Sequence, residues 1–264
     1  MKIIPFSKYQ GTGNDFILID QRSAAYLSRE DAPAIARLCD RRFGIGADGL
    51  ILLNQRMGYD FEMDYFNSDG HPGSMCGNGA RCAIRFAQHL GIHQDQYLFH
   101  APDGPHQARI NPKSDWVELQ MQEVEKIEQG ADFYFIDTGS PHYIKFVNGL
   151  SKLDVEAEGQ AIRYNSRFRA AGTNVNFVEQ SGGRIRIRTY ERGVEAETLS
   201  CGTGVTAAAI AHALEEGLPK GPHTFTVEAR GGLLQVHLSC SNGQFKEIWL
   251  CGPAQYVYQG QIRL

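Results

Sequence analysis

Two cysteines carry the chemistry that this sequence offers. The segment Ser74-Met-Cys-Gly-Asn-Gly-Ala-Arg-Cys has an echo 125 residues later, Leu199-Ser-Cys-Gly-Thr-Gly-Val-Thr-Ala. Both copies read Cys-Gly-x-Gly, with Cys76 or Cys201 heading a short helical stretch that Gly91 or Gly217 closes. A helix start carries partial positive charge and unpaired N–H groups, which favour a thiolate over a thiol. Two activated thiols on similar halves could act from opposite sides of one carbon. One removes a proton and the other returns one, which is what inverting a stereocentre requires. The N–H groups of Gly77, Asn78, Gly202 and Thr203 follow the cysteines and are placed to bind an anion as charge develops. The glycines let a substrate approach the backbone closely.

The elements that position this pair are strand-rich. Short apolar runs are separated by Gly, Asn, Asp and Pro. Arg184-Ile-Arg-Ile-Arg alternates, with Ile185 and Ile187 on one face. Val227–Glu228, Arg230-Gly-Gly and Leu233–Ser239 read as a hairpin. Asn242-Gly243 is a tight-turn signal leading into Phe245–Leu250. Helices are few. Ser28 with Asp31 resembles a capping arrangement before Ile35 and Leu38. Ala80, Ala83, Ile84, Ala87 and Leu90 follow helical spacing after Cys76, as Val205, Ala208, Ala209 and Ala213 do after Cys201. Both stretches are rich in Ala and poor in charge, so each is expected to be a buried central helix. The repeat also includes Tyr9-Gln-Gly-Thr-Gly-Asn-Asp-Phe and Phe135-Ile-Asp-Thr-Gly-Ser-Pro-His, each a glycine-kinked loop feeding a strand.

These features predict an α+β chain of two pseudo-symmetric domains from a duplication, each a strand-rich, barrel-like sheet around a central helix. The first spans 1–113, with a strand at 253–264 returning to it, and the second spans 114–252. The boundary falls near Asn111–Asp115, and the site is expected in the interdomain cleft.

The 264 residues, 42% of them hydrophobic, can bury a substantial core. A net charge of −4 and a pI near 6.1 argue against a nucleic-acid binder. No apolar run is long enough to span a bilayer, and the start lacks the pattern of a signal peptide, so a cytoplasmic location is the expectation. Of the six cysteines, Cys39, Cys240 and Cys251 sit in apolar or strand-like contexts and read as core. The spacing of Cys76 and Cys82 does not fit a zinc pair, and helical phase puts Cys82 on the packing side, so no metal site is expected. Nothing in the sequence identifies a lysine for pyridoxal phosphate.

Ordered motifs along nearly the whole chain resemble the diaminopimelate epimerase family. They are Gly13-Asn-Asp-Phe16, Arg41-Arg-Phe-Gly-Ile-Gly-Ala-Asp48, Phe66-Asn-Ser-Asp-Gly70, Cys76-Gly-Asn-Gly-Ala-Arg-Cys82, Gly139-Ser-Pro-His142, Gly172-Thr-Asn-Val175, Glu191-Arg-Gly193 and Glu197-Thr-Leu-Ser-Cys-Gly-Thr-Gly204. The resemblance implies a cofactor-independent epimerase that interconverts LL- and meso-2,6-diaminopimelate, serves lysine and peptidoglycan precursor synthesis, and works as a homodimer. It implies that Cys76 and Cys201 are the acid–base pair. It also implies that Asn14, Asn67, Gly77, Asn78, Asn174, Glu191, Arg192, Gly202 and Thr203 contact substrate, and that His142 and Glu191 adjust the ionisation of the thiols. Arg192 suits a distal carboxylate, and Asn67 and Asn174 can each donate and accept. Asn67 as a turn residue and His142 as a core imidazole are the competing readings of those two positions.

The chain departs from the family pattern in three places. Gly49 stands where many members have Gln, Ser140 where many have Asn, and the segment from Glu191 to Cys201 is one residue longer than a common form. Three rival functions follow from the residues: a racemase of another amino acid on the same scaffold, a thiol redox protein, and an amino-acid binding module. The last two give no reason for paired thiols at matched helix starts.

Overall fold

A computed structural model of the chain describes residues 2–111, 113, 114, 116–241 and 243–264. The chain divides into two compact units, Met1–Leu119 with Gly252–Leu264, and Gln120–Cys251.

The first unit contains strands β1 (Ile3–Gly11), β2 (Asn14–Asp20), β3 (Gly49–Asn54), β4 (Phe61–Asn67), β5 (Tyr97–Ala101), β6 (Gly104–Ile110), β7 (Val117–Gln120, ending at the division) and β17 (Gln255–Arg263). Helix α1 (Ala32–Cys39) lies between β2 and β3, and α2 (Gly77–His89) between β4 and β5. From β17 through β1 to β7, successive pairs run antiparallel, antiparallel, parallel, antiparallel, parallel, antiparallel and antiparallel. The second unit contains β8 (Ile127–Gln129), β9 (Tyr134–Asp137), β10 (Pro141–Phe146), β11 (Asn174–Ser181), β12 (Arg184–Glu191), β13 (Ala196–Thr198), β14 (Gly221–Ala229), β15 (Gly232–Ser241) and β16 (Gln244–Gly252, ending at the division). Its helices are α3 (Val155–Arg163), between β10 and β11, and α4 (Gly202–Glu215), between β13 and β14. With β13 set aside as a side branch of β12, the order β8, β9, β10, β11, β12, β14, β15, β16 repeats the same sequence of pairings. The duplication expected from the two cysteine motifs therefore extends through eight strands and two α-helices of each unit, with β13 as an addition in the second.

Strand periodicity explains how each sheet is covered on two faces. In the first unit, Ile17, Ile19, Leu50, Leu52 and Phe66 form a core with Ile35, Leu38 and Cys39 of α1. In the second, Tyr143, Val175, Phe177 and Tyr190 pack with Val155 of α3. The alternate residues face the other helix. There α2 meets β1, β2, β3, β4 and β17, and α4 meets β9, β10, β11, β12, β14 and β15. Covering both faces requires near-continuous apolar strands such as Leu50-Ile-Leu-Leu53. The two central helices are buried along their middles, as their alanine content implies.

Several local readings change. Asp31, not Ser28, is the N-cap of α1, and its carboxylate accepts from both the N and Oγ of Ser28 at 2.8 and 2.9 Å. Leu90 is the C-cap of α2 and only half-buried. Cys39 and Cys251 are core residues, but Cys240 is half-buried, because it lies at the last pair of the β14–β15 hairpin, opposite Gly221, which has no side chain to cover it. Arg230-Gly231 makes the turn of that hairpin, as its glycines indicate. The turn at Asn242 lies outside the described residues, as do Pro112 and Asp115 of the expected boundary. Among the described residues, no helix is long and apolar enough to cross a membrane.

Candidate active site

Cys76 and Cys201 are the N-caps of α2 and α4, with nearly the same backbone geometry: φ −112°, ψ 115° and φ −118°, ψ 110°. The first intrahelical bonds run from Ala80 N to Cys76 O at 2.8 Å and from Val205 N to Cys201 O at 2.9 Å. The N–H groups of residues 77–79 and 202–204 thus precede the ladder and have no partner within the helix. Both cysteines are half-buried and neither is in a disulfide. Cys82 is fully enclosed, and burial pushes its thiol up to about 12 against the lowering charge of Arg81, so it is a packing residue.

Around α2 a directed hydrogen-bond chain orients two of the expected binding residues. Arg81, with no exposed surface, donates from Nη2 to Asn78 Oδ1 at 2.9 Å and to Thr12 Oγ1 at 3.0 Å. Asn78 Nδ2 donates to Asn14 Oδ1 at 2.5 Å, and Asn14 Nδ2 donates to Asp48 Oδ2 at 3.0 Å. Because a carboxylate only accepts, Asp48 fixes which way the Asn14 amide faces. These two bonds use one N–H and one lone pair of the Asn14 amide. Arg41 holds Asp48 at 2.7 Å and grips Asp15 at 3.0 and 2.7 Å, and Lys8 reaches Asp15 at 2.8 Å. Burial raises the Asp15 carboxyl, but hydrogen bonds from Arg41 and Lys8 outweigh it and hold the group at about 2. None of the roles of Lys8, Asp48 and Arg81 is visible in the sequence, because charged residues normally read as solvated wherever they stand.

Asn67 ends β4 and is also a turn residue. Its N–H donates to His71 O and its carbonyl accepts from Gly70 N, both at 2.9 Å, while the residue stays exposed. Gly49 is its partner across β3–β4. A Cβ at Gly49 would stand 2.6 Å from the Tyr65 ring, so Tyr65 occupies the room that a glutamine at 49 would need.

Around α4, Cys201 Sγ lies 3.4 Å from Thr203 Oγ1, which lies 2.8 Å from His142 Nε2. His142 Nδ1 meets Asn176 Nδ2 at 3.0 Å, and Asn176 also donates to Tyr143 O at 3.1 Å and accepts from Thr189 Oγ1 at 2.9 Å. Burial, then the charge of Arg192, push the His142 imidazole down to about 3, against the opposing hydrogen bond of Asn176. His142 is both a satisfied core imidazole and a group joined to Cys201 through Thr203, and it acts as a neutral ring.

Asn174 is narrower in capacity than its residue type allows. Its Nδ2 donates to Ser140 Oγ at 2.9 Å and Pro141 O at 3.2 Å, and its Oδ1 accepts from Arg192 N at 2.9 Å. Both N–H groups are used within the protein, so the amide retains accepting capacity only and not, as its type alone suggests, donating capacity as well. Ser140 supplies one of these partners. Glu191 Oε2 accepts from Thr198 Oγ1 at 2.8 Å, and Arg192 Nη1 donates to Ala171 O at 3.0 Å. A separate cavity of about 840 Å³, lined by residues including Gln88, Tyr97, Arg109 and Glu118, lies toward the C-terminal end of α2, away from Cys76.

The neutral imidazole has a consequence for acid stability. The folded state holds the His142 proton affinity near 3, against 6.5 for the free side chain. The unfolded chain therefore takes up a proton first, and stability is lost as pH falls from about 6.5 towards 3. Asp15 adds a second loss below 3.8 as pH falls towards 2. Urea midpoints measured from pH 8 to 4 should fall steadily in the native protein. They should fall less steeply in His142→Gln, whatever its absolute stability; equal slopes would contradict the neutral buried imidazole.

The family model described as diaminopimelate epimerase matches residues 6–127 and 134–257. The diaminopimelate epimerase of Flavobacterium psychrophilum is 48% identical over 256 residues, covering 97% of this chain and 98% of the relative. That of Chlorobaculum tepidum is 43% identical over 264 residues, covering 96% and 99%. That of Aquifex aeolicus is 38% identical over 276 residues, covering 97% of each. A Bacillus anthracis phenazine biosynthesis protein of the PhzF family superposes with a TM-score of 0.78 at 14% identity, over 100% of both chains. A hydroxyproline epimerase from Agrobacterium vitis superposes with a TM-score of 0.73 at 14% identity, over 99% of this chain and 93% of that one. These two structures share the two-domain epimerase fold. With the family model matched through both units, and relatives 38–48% identical along nearly its whole length, the chain belongs to the diaminopimelate epimerase family.

Proposed function

We infer that the protein interconverts LL- and meso-2,6-diaminopimelate, with Cys76 and Cys201 as its acid–base pair. The observation that carries this reading is the matched pair of helix starts: two units of identical strand pairing, each presenting a cysteine N-cap at nearly the same φ and ψ. One thiolate removes the α-proton, and the opposite thiol delivers a proton to the other face of the same carbon. The two cysteines then have exchanged protonation states, which readies the enzyme for the reverse direction. The N–H groups of Gly77, Asn78, Gly202 and Thr203 hold the α-carboxylate and stabilise the charge that spreads into it as the proton leaves. Asn14, Asn67 and Asn174 bind the polar groups of the substrate, Glu191 accepts from an ammonium, and Arg192 takes the distal carboxylate.

The proposal includes a cytoplasmic homodimer that needs neither pyridoxal phosphate nor a metal, and it identifies each compact unit with one epimerase half. Relatives named for diaminopimelate favour this substrate over another amino acid. Incubation of purified protein with LL-diaminopimelate in deuterated water should yield meso product carrying deuterium at the inverted carbon. Absence of turnover, or turnover that tracks added pyridoxal phosphate, would overturn the assignment.

A further inference from the structure

Core positions related by the duplication are apolar in one unit and polar in the other. In β2–β3 the register pairs Phe16 with Gly49 and Leu18 with Ile51; in β10–β11 it pairs His142 with Asn174 and Ile144 with Asn176. Phe16 thus corresponds to His142, and Ile51 to Asn176. Across the next strand, Ile51 faces Tyr65 and Asn176 faces Thr189. The helices confirm the match. A Cβ on Gly79 of α2 would meet Ile51, Met63 and Phe16, and one on Gly204 of α4 would meet Asn176 and His142. Buried polar groups cost stability unless they are hydrogen-bonded. The second unit nevertheless buries His142 and Asn176 with no exposed surface, where the first unit buries Phe and Ile.

The hydrogen bonds in this polar insert have one direction. Asn176 Nδ2 faces the Tyr143 carbonyl, which only accepts, so the amide nitrogen is fixed there as a donor. The same nitrogen faces His142 Nδ1, which must then be the unprotonated, accepting nitrogen. The proton of the neutral ring sits on Nε2 and is donated to Thr203 Oγ1. With its oxygen accepting from His142, the Thr203 hydroxyl can direct its own proton to Cys201 Sγ. Donation from a neutral thiol to Thr203 is also open, but a thiolate can only accept, and it gains the bond from a hydroxyl already polarised by the imidazole.

We propose that Asn176 and His142 are positioning residues that aim the Thr203 hydroxyl at the Cys201 sulfur, making Cys201 the thiolate-favouring member of the pair. The proposal rests on the two-thiol reading above and assigns the two cysteines unequal roles. Burial keeps the ring neutral, and the positive charge of Arg192, beyond the end of β12, adds to the effect. His142 therefore acts on Cys201 by directing a proton and not by carrying a charge.

Two measurements test this without substrate. Two-bond proton–nitrogen correlation spectra of histidine-labelled protein should show His142 protonated at Nε2. Asn176→Asp, which can present an oxygen to Nδ1, should move the proton to Nδ1. An Nδ1 proton in the native protein, or an unchanged tautomer in the variant, overturns the positioning role of Asn176. In a Cys76→Ala background, the pH profile of iodoacetamide alkylation at Cys201, followed by peptide mapping, should shift up by about one to two pH units in Thr203→Val. Thr203→Ser should restore it. A Thr203→Val profile superposing on its parent overturns the relay. A failed deuterium assay with the spectra and alkylation shift intact would remove the assigned reaction and keep the relay. An active enzyme lacking the shift would do the reverse.

Discussion

Cys76→Ala and Cys201→Ala are each expected to lower epimerisation by about 10³- to 10⁴-fold in both directions, since in the proposed mechanism each removes one of the two groups that move a proton. Loss in both directions is the diagnostic feature. The thiol that removes the proton from one stereoisomer is the one that delivers a proton when that isomer is re-formed from the other, so neither direction can run on one cysteine. The surviving cysteine can still take and give back a proton on its own face. Each variant should therefore exchange the α-hydrogen of one stereoisomer with deuterated water without inverting it, and the two variants should prefer opposite stereoisomers. Cys82→Ala is the control. Its sulfur is enclosed and its thiol is pushed up to about 12, so activity should change less than about twofold, with a stability loss of about 1 kcal/mol from the packing defect. Near-native epimerisation by either alanine variant at Cys76 or Cys201 would end the two-thiol mechanism. The measurements are proton magnetic resonance of the α-hydrogen together with chiral separation of the products.

The parts of the molecule legible in the sequence are those where one signal dominates. Cys-Gly-x-Gly followed by alanines at helical spacing marks both buried helices, and Arg230-Gly231 marks its hairpin. Helix α3 was not legible. It spans Val155–Arg163, buries only Val155 and Gly159, and starts at Asp154, whose carboxylate accepts from Ala157 N at 3.1 Å. Asp154 with the acidic first turn is a usable start signal, but a stretch with so little apolar content gives almost no periodicity. The polar insert beneath α4 was hidden for a different reason. Asn174-Val-Asn-Phe-Val alternates, and an alternating strand reads as polar residues facing water. Here the polar face is turned towards α4 and is buried. Only tertiary pairing distinguishes Asn176 from a solvated asparagine. The same holds for Arg81, which reads as an exposed helical cation and is in fact enclosed.

The second glycine of each motif gives the other large expected effect, and the two copies should respond differently. A Cβ at Gly204 would lie 2.5 Å from Asn176 Oδ1 and 3.3 Å from both His142 Cε1 and Nδ1. Neither side chain can swing aside, since both are fully enclosed and Asn176 is held by Thr189 and the Tyr143 carbonyl. A Cβ at Gly79 would meet the methyl ends of Ile51 and Met63 at 3.2 and 3.5 Å and the Phe16 ring at 3.5 Å, contacts that small rotations relieve. Alanine is otherwise the better helix former by about 1 kcal/mol, so without the clash both substitutions would stabilise. Gly79→Ala should therefore stay within about 1 kcal/mol of native stability and within a few-fold of native activity. Gly204→Ala should lose about 1–3 kcal/mol from overpacking, and kcat should fall by about 100-fold as the Asn176–His142–Thr203 chain is displaced from Cys201. Urea midpoints and steady-state kinetics on the two variants decide it. If Gly204→Ala matches Gly79→Ala in both, the polar insert beneath α4 is free to adjust, and the alignment of His142 with Thr203 and Cys201 does not govern the reaction.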